Sequence, residues 1–288
     1  MRLDDQEESS NVEDRRGGGS FGGGLGRGGI GIGTIVAALA ASYFFGIDPS
    51  VILGLASNIE RQAPSQVAAH KPPANDDMAR FVSKVLASTE STWEQVFRDG
   101  GQHYRPPQLV LFSGATPTAC GTGQAAMGPF YCPGDQKVYI DLAFFDTLSR
   151  QLGAPGEFAK AYVIAHEIGH HVQNLLGVDA KVEQARRRLS ETENNALSVR
   201  VELQADCYAG LWAKKANESR AILQNGDVES AMNAAAKIGD DALQRQSTGR
   251  VRPDSFTHGT SEQRQRWFNT GLQTGSVKSC DTFSTRQL

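Results

Sequence analysis

One stretch near the middle of the chain, residues 162–174, constrains its fold more than any other, because it contains a single charged residue and no proline. Its centre reads Val-Ile-Ala-His-Glu-Ile-Gly-His-His-Val, and Glu167 carries the charge. A step of four residues turns a helix by about 400°, so His166 and His170 lie on the same face. The stretch therefore predicts a buried helix whose two imidazoles point in one direction and need polar partners.

The arrangement His166-Glu167-x-x-His170 is typical of a zinc site. Both imidazoles can reach one metal ion, whereas Glu167 is rotated by about 100° and can contact a metal-bound water without ligating the metal. We interpret Glu167 as the group that activates this water. His171 points elsewhere, and we expect it to be a packed or hydrogen-bonded histidine. The alternative, an exposed helix with incidental histidines, is disfavoured because such a helix would carry more charge.

A catalytic zinc usually has three protein ligands and keeps one position for water. A histidine six residues beyond the motif could supply the third ligand, but that position is Leu176. The apolar segment 195–215 offers Glu202 instead. Asp206 follows four residues later on the same helical face, where it can accept a hydrogen bond from a ligating imidazole and fix its tautomer. The alternative for this carboxylate pair is a buried structural ion pair.

The whole pattern predicts an α+β fold that is mostly helical and has a small β-sheet. Strand candidates are residues 108–112, 130–132 and 137–141. Lys137 to Asp141 is the predicted edge strand for an extended peptide, with an ordinary internal strand as the alternative. Apolar periodicity predicts helices over residues 76–98, 142–152, 156–176, 179–192, 195–219, 227–246 and 261–271.

The composition of the first 75 residues predicts three segments, which precede a folded domain at 76–288. Residues 1–29 are glycine-rich and predict a disordered tail. Residues 30–47 are apolar and uncharged, which predicts a transmembrane anchor, and 48–75 predicts a linker. Arginines precede the apolar stretch, so we expect one pass through the cytoplasmic (inner) membrane, with the N-terminus inside and the domain outside. A cleaved signal peptide is the alternative.

All four cysteines follow the apolar stretch, so an exported domain would form two disulfides. We favour Cys120–Cys132, which closes a short loop, leaving Cys207–Cys280; four free thiols are the alternative. The formal net charge of −3 gives no indication of a nucleic-acid partner.

Four separated segments resemble the neutral zinc metallopeptidase family of bacterial membrane-anchored proteins: HEIGHHVQ at 166–173, ELQADCYAG at 202–210, GPFYCPGDQKVYIDL at 128–142 and SFTHGTSEQRQRWF at 255–268. The resemblance implies a zincin-like fold of the Glu-ligand type for residues 76–288. It implies that His166 and His170 are zinc ligands and that Glu167 is the catalytic acid and base. Glu202 as third ligand rests on similarity to the E-x-x-x-D helix of such enzymes.

The expected activity is hydrolysis of a peptide or protein substrate by an endopeptidase that binds one zinc ion. His258 is the candidate second donor to the oxyanion, with a helix-capping loop histidine as the alternative. Arg264 and Arg266 form a solvated face or bind a substrate carboxylate. Two other functions are open: a catalytically silent, zinc-stabilised scaffold at the cell envelope, and a zinc amidase acting on cell-wall peptides.

Overall fold

The computed structural model describes residues 1–4, 6–17 and 70–288. As predicted, the fold is α+β and mostly helical. The strands are β1 (Val12–Asp14), β2 (Gln108–Phe112), β3 (Ala115–Thr118), β4 (Gly121–Gln124), β5 (Phe130–Cys132) and β6 (Lys137–Asp141). The helices are α1 (Asp77–Asp99), α2 (Ala143–Asp146), α3 (Glu157–Leu175), α4 (Val178–Arg186), α5 (Glu191–Arg220), α6 (Asp227–Lys237), α7 (Asp240–Thr248) and α8 (Ser261–Thr274).

The main sheet has the strand order β1-β2-β6-β5. Strands β1, β2 and β6 run parallel, with Leu109 opposite Val138, and β5 runs antiparallel to β6. Strands β3 and β4 form a separate hairpin. The prediction that Lys137–Asp141 is an edge strand is wrong, because β2 and β5 pair with it on either side. The outer strand on that side is β5.

Strand β1 corrects the prediction of a disordered tail for residues 1–4 and 6–17, whereas residues 18–29 lie outside the described residues. Val12 lies opposite Leu109 of β2, and Asp14 forms a bridge with His70. Burial of Val12 and Leu3 in the core supplies the apolar contact that composition alone did not indicate. The folded domain therefore includes residues 1–16 and does not begin at residue 76.

The predicted anchor, residues 30–47, lies outside the described residues, as does most of the predicted linker. In the part of the chain that the structure describes, no helix is both long enough and apolar enough to span a membrane. A single crossing between β1 and His70 would place these paired segments on opposite sides of a membrane. The pairing therefore requires both on one side, which conflicts with the single-pass orientation predicted above.

Three glycines allow the central helices to approach closely. A Cβ at Gly169 of α3 would lie 2.9 Å from the carbonyl oxygen of Ala205 in α5. Gly210 of α5 and Gly271 of α8 each contact the backbone of the opposite helix so closely that a Cβ would overlap it. Helices α3 and α8 therefore both pack against α5 with direct contact between the helix backbones.

Helix boundaries follow local capping signals. A capping box formed by Ser190 and Glu193 starts α5, earlier than predicted. The helix predicted over 227–246 is two helices, α6 and α7, because the chain breaks at Gly239. A Cβ there would lie 2.5 Å from the backbone nitrogen of Ser261. Both favoured disulfides are present, Cys120–Cys132 and Cys207–Cys280.

Candidate metal centre

Helices α3 and α5 bring His166, His170 and Glu202 together, with one ligand atom of each lying within 4.8 Å of the others. The Nε2 atoms of the two histidines are 3.2 Å apart. Glu202 Oε2 lies 3.1 Å from His166 Nε2, and its Oε1 lies 3.5 Å from His170 Nε2. Two imidazole nitrogens and a carboxylate form the ligand set of a catalytic zinc that keeps a position for water.

The other ring nitrogen of each histidine already has a partner. His166 Nδ1 lies 2.8 Å from Asp206 Oδ1, and His170 Nδ1 lies 2.9 Å from Gln173 Oε1. Both partners are oxygen acceptors, so each Nδ1 carries a proton, and Nε2, which faces Glu202, is the nitrogen of each ring that a cation would bind in place of a second proton. Three acceptors facing one another favour a shared cation, and the residues present therefore fit zinc.

The charges of the cluster agree with this conclusion. Burial alone would lower the pKa of His166, but Asp206 and Glu202 raise it to about 10. Burial would raise the pKa of Glu202, but His170 and His166 hold it well below its usual range. Asp206 and Glu202 therefore stabilise positive charge at the two imidazoles, and the same carboxylates would stabilise a bound cation.

Asp206 is fully buried beneath the candidate ligands and accepts from three donor atoms of two residues besides His166. Arg264 of α8 donates from Nε and Nη2 at 2.8 and 2.9 Å, and the Tyr162 hydroxyl also donates. Burial would raise the pKa of Asp206, but Arg264 and His166 lower it to about 2. The carboxylate therefore stays ionised and holds the His166 ring in place.

Glu167 lies beside this cluster with only 7% of its surface exposed. Burial raises the pKa of its carboxyl, and the imidazoles of His166 and His170 partly offset that effect. Its side chain lines the same cavity as the three candidate ligands, and the cavity has a volume of about 1030 Å³. A carboxylate with a raised pKa at this position suits proton transfer.

The structure places His258 on the same cavity, in the loop before α8. Its ring Nδ1 lies 3.3 Å from Asp240 Oδ1, while the backbone nitrogens of Thr257, His258 and Gly259 donate to Asp240 Oδ2. The hydrogen bond to Asp240 raises the pKa of His258, although burial opposes it. Asp240 thus holds both the loop and the ring.

His171 turns away from the cluster, as predicted. Its Nε2 donates to the carbonyl of Arg105 at 2.7 Å, so its Nδ1 accepts from the Tyr131 hydroxyl at 3.1 Å. Burial lowers its pKa to about 4. The neutral ring therefore ties Tyr131 of β5 to α3.

Comparison with known proteins gives the same result as the geometry. The family model described as "Putative neutral zinc metallopeptidase" matches residues 1–283. The chain belongs to this family. The zinc that the family name implies agrees with the ligand set of His166, His170 and Glu202.

Several curated relatives align with this chain over most of its length. "Uncharacterized protein YpfJ" of Escherichia coli strain K12 is 48% identical over 98% of this chain and 99% of its own. "Uncharacterized protein Rv2575" of Mycobacterium tuberculosis strain H37Rv and "Uncharacterized protein Mb2605" of Mycobacterium bovis are each 40% identical over 86% of both chains. No solved structure matches the chain.

At this candidate metal centre, sequence reasoning missed the roles of Arg264 and Gln173, as well as those of Tyr162 and Asp240. The interpretation of Arg264 as part of a solvated face is wrong, because its side chain is 2% exposed and paired with Asp206. One signal was present: Arg264 precedes Trp267 and Phe268 by three and four residues, and these are buried on the same face of α8. Arg266 does lie on the exposed face, where it pairs with Glu262.

Proposed function

We propose that this protein is a zinc-dependent endopeptidase in which His166, His170 and Glu202 hold one zinc ion and Glu167 is the catalytic base and acid. The observation that carries the proposal is the convergence of these three ligand atoms next to a buried carboxylate on one large cavity. When bound, zinc lowers the pKa of water and polarises a carbonyl group.

The chain's own residues supply the proton transfers. Glu167 accepts a proton from the attacking water and delivers it to the leaving amine, and its raised pKa suits both steps. His258, which lines the same cavity, donates to the oxyanion. Because Asp240 raises the pKa of His258, the ring remains a cationic donor at a higher pH than a free histidine would.

The cavity walls support an extended peptide as the substrate. Strand β5 is the outermost strand of the sheet beside the cavity, and outer strands can pair with a peptide through backbone groups. The walls are largely apolar, and two of their side chains are the exposed Met127 and Leu243. We therefore expect apolar side chains near the cleaved bond.

We also propose that the domain functions outside the cytoplasm and is attached to the inner membrane through residues 30–47. Two disulfides support an oxidising compartment. Since β1 pairs with β2, the attachment has to leave residues 1–16 and 70–288 on the same side.

The direct test is a screen of zinc-loaded protein against a broad peptide library, with Glu167→Gln in parallel. The variant keeps the volume of the side chain and removes the base, so zinc content stays the same and cleavage is lost. Glu157→Gln is the matched control, because Glu157 begins the same helix and its side chain is 62% exposed. Cleavage that survives Glu167→Gln contradicts the mechanism, and zinc binding without any cleavage favours a scaffold.

A further inference from the structure

Two buried side-chain amides, those of Gln173 and Gln204, form a row of hydrogen bonds that begins at the His170 ring. Gln173 Oε1 lies 2.9 Å from His170 Nδ1, and Gln173 Nε2 lies 3.1 Å from Gln204 Oε1. Gln204 Nε2 in turn lies 2.9 Å from the carbonyl oxygen of Cys280. Gln173 Nε2 also donates to the carbonyl of Val201 at 2.8 Å. Gln173 is fully buried and Gln204 is 6% exposed, so the protein supplies all of these partners.

Two backbone carbonyls set the direction of this row. A carbonyl can only accept, so the amide nitrogen of Gln204 faces Cys280 and the amide nitrogen of Gln173 faces Val201. The oxygen of Gln204 then accepts from Gln173, and the oxygen of Gln173 is left facing His170. An amide oxygen next to Nδ1 requires a proton on Nδ1. His170 is therefore held in the tautomer whose Nε2 lone pair points at Glu202 and His166.

We propose that Gln173 and Gln204 are positioning residues that fix the tautomer and orientation of His170 for metal binding. The backbone carbonyl of Cys280, in the C-terminal segment, is the last acceptor of this row of hydrogen bonds, which we call the relay. The proposal rests on the proposed role of His170 as a zinc ligand. It assigns His170 a neutral amide partner, whereas His166 has the ionised carboxylate of Asp206. Removal of such an outer partner lowers metal affinity by about 10- to 100-fold.

The Cys207–Cys280 disulfide fixes the end of the relay. Cys207 and Gln204 are three residues apart on α5, and the disulfide holds Cys280 next to both. Thr282 adds a second attachment, because its hydroxyl donates to the carbonyl of Arg200 at 2.6 Å. The C-terminal segment thus contributes an acceptor to the metal centre without contributing a ligand.

The test measures zinc affinity by competition with a chromogenic chelator for wild type, Gln173→Leu, Gln173→Glu and Gln204→Leu. Leucine at 173 removes the acceptor, so zinc affinity falls by about 10- to 100-fold. Glutamate restores an acceptor for the Nδ1 proton and brings affinity back towards that of wild type. A purely structural role predicts the opposite order, because glutamate adds a buried charge that leucine does not. Gln204→Leu keeps the contact between Gln173 and Val201, so its loss is smaller.

Gln265→Leu is the matched control, since Gln265 is a half-buried amide of α8 that donates to the carbonyl of Met232 at 3.0 Å. Its zinc affinity stays at the wild-type value. Proton NMR of zinc-loaded protein gives a second readout: a slowly exchanging His170 Nδ1 proton is present in wild type and Gln173→Glu and lost in Gln173→Leu. The relay is overturned if Gln173→Leu binds zinc as tightly as wild type, if glutamate is no better than leucine, or if wild type binds no zinc. Zinc binding without peptide cleavage contradicts the proposed function alone, and the affinities still decide the relay.

Discussion

Asp206 Oδ1 lies 2.8 Å from His166 Nδ1, and the same carboxylate is held by Arg264 from a third helix. His166, a candidate zinc ligand, is therefore oriented by the buried ion pair between Asp206 of α5 and Arg264 of α8. His166 and Arg264, which are 98 positions apart in the sequence, thus depend on one another for the geometry of the site.

Asp206→Ala should destabilise the fold strongly, because it leaves the Arg264 guanidinium buried without its counterion. The expected loss in free energy of unfolding is about 3–5 kcal/mol, measured by urea titration. The double variant Asp206→Ala/Arg264→Met removes both charges and should recover part of that loss. Asp146→Ala is the control, since its partner Arg150 is 3.9 Å away and both side chains are largely exposed. The single variant Arg264→Met completes the cycle. If the double variant loses as much free energy of unfolding as Asp206→Ala and Arg264→Met added together, the two groups are not coupled.

Gly169→Ala should push α3 away from α5. The new Cβ would lie 2.9 Å from the Ala205 carbonyl oxygen, and a backbone atom cannot move aside as a side-chain end can. We expect a loss of about 1–3 kcal/mol in stability and weaker zinc binding, measured by urea unfolding and zinc titration. Gly100→Ala is the control, because its nearest neighbour is 3.4 Å away and its φ is −84°. Unchanged zinc affinity in Gly169→Ala would contradict a site that depends on close helix packing.

Stability should fall as the pH is lowered from about 6.5 to about 4, in part through His171. Its pKa is about 4 in the folded protein and about 6.5 in an unfolded chain, so the unfolded chain binds more protons between these values. The contribution of the neutral His171 ring to the free energy of unfolding is fully present above a pH of about 6.5 and amounts to about 3 kcal/mol. His171→Gln keeps a donor and an acceptor but does not titrate, so its urea unfolding should depend less steeply on pH. Equal slopes for the two proteins would exclude His171 as the source.

Membrane topology gives an independent test of β1. Ser10 and Ser219 are both exposed, and the pairing of β1 with β2 puts them in one folded domain. Cysteines introduced at either position should react equally with a membrane-impermeant maleimide in intact cells or spheroplasts. Labelling of Ser219→Cys alone, with Ser10→Cys reacting only after lysis, would show that the chain crosses the membrane between them.

The sequence predicted the convergence of His166, His170 and Glu202 because each helix carries its own local pattern. Asp206 followed from its four-residue spacing to Glu202. The spacing of Arg264 to Trp267 and Phe268 was a signal of its burial. Its pairing with Asp206 could not be predicted, because that partner lies on another helix and the pairing depends on how α8 crosses α5 at the glycine contacts.

Gln173 was also missed. Its role depends on carbonyls of α5 and the C-terminal segment, which no local pattern connects to it.

Strand β1 was missed for a different reason. Glycine-rich sequence directly follows it, and only its pairing with β2 gives Val12 an apolar environment.

Zinc content is the most direct measurement of the central claim. Protein dialysed against a slight excess of zinc and then against buffer is analysed by inductively coupled plasma mass spectrometry, together with Glu202→Ala and Glu191→Ala. Glu191 lies at the start of the same helix and its side chain is exposed. The account predicts one zinc per chain in wild type and in Glu191→Ala, and a large loss in Glu202→Ala. Wild-type protein without zinc, or a Glu202→Ala variant that retains it fully, would contradict the proposed metal centre.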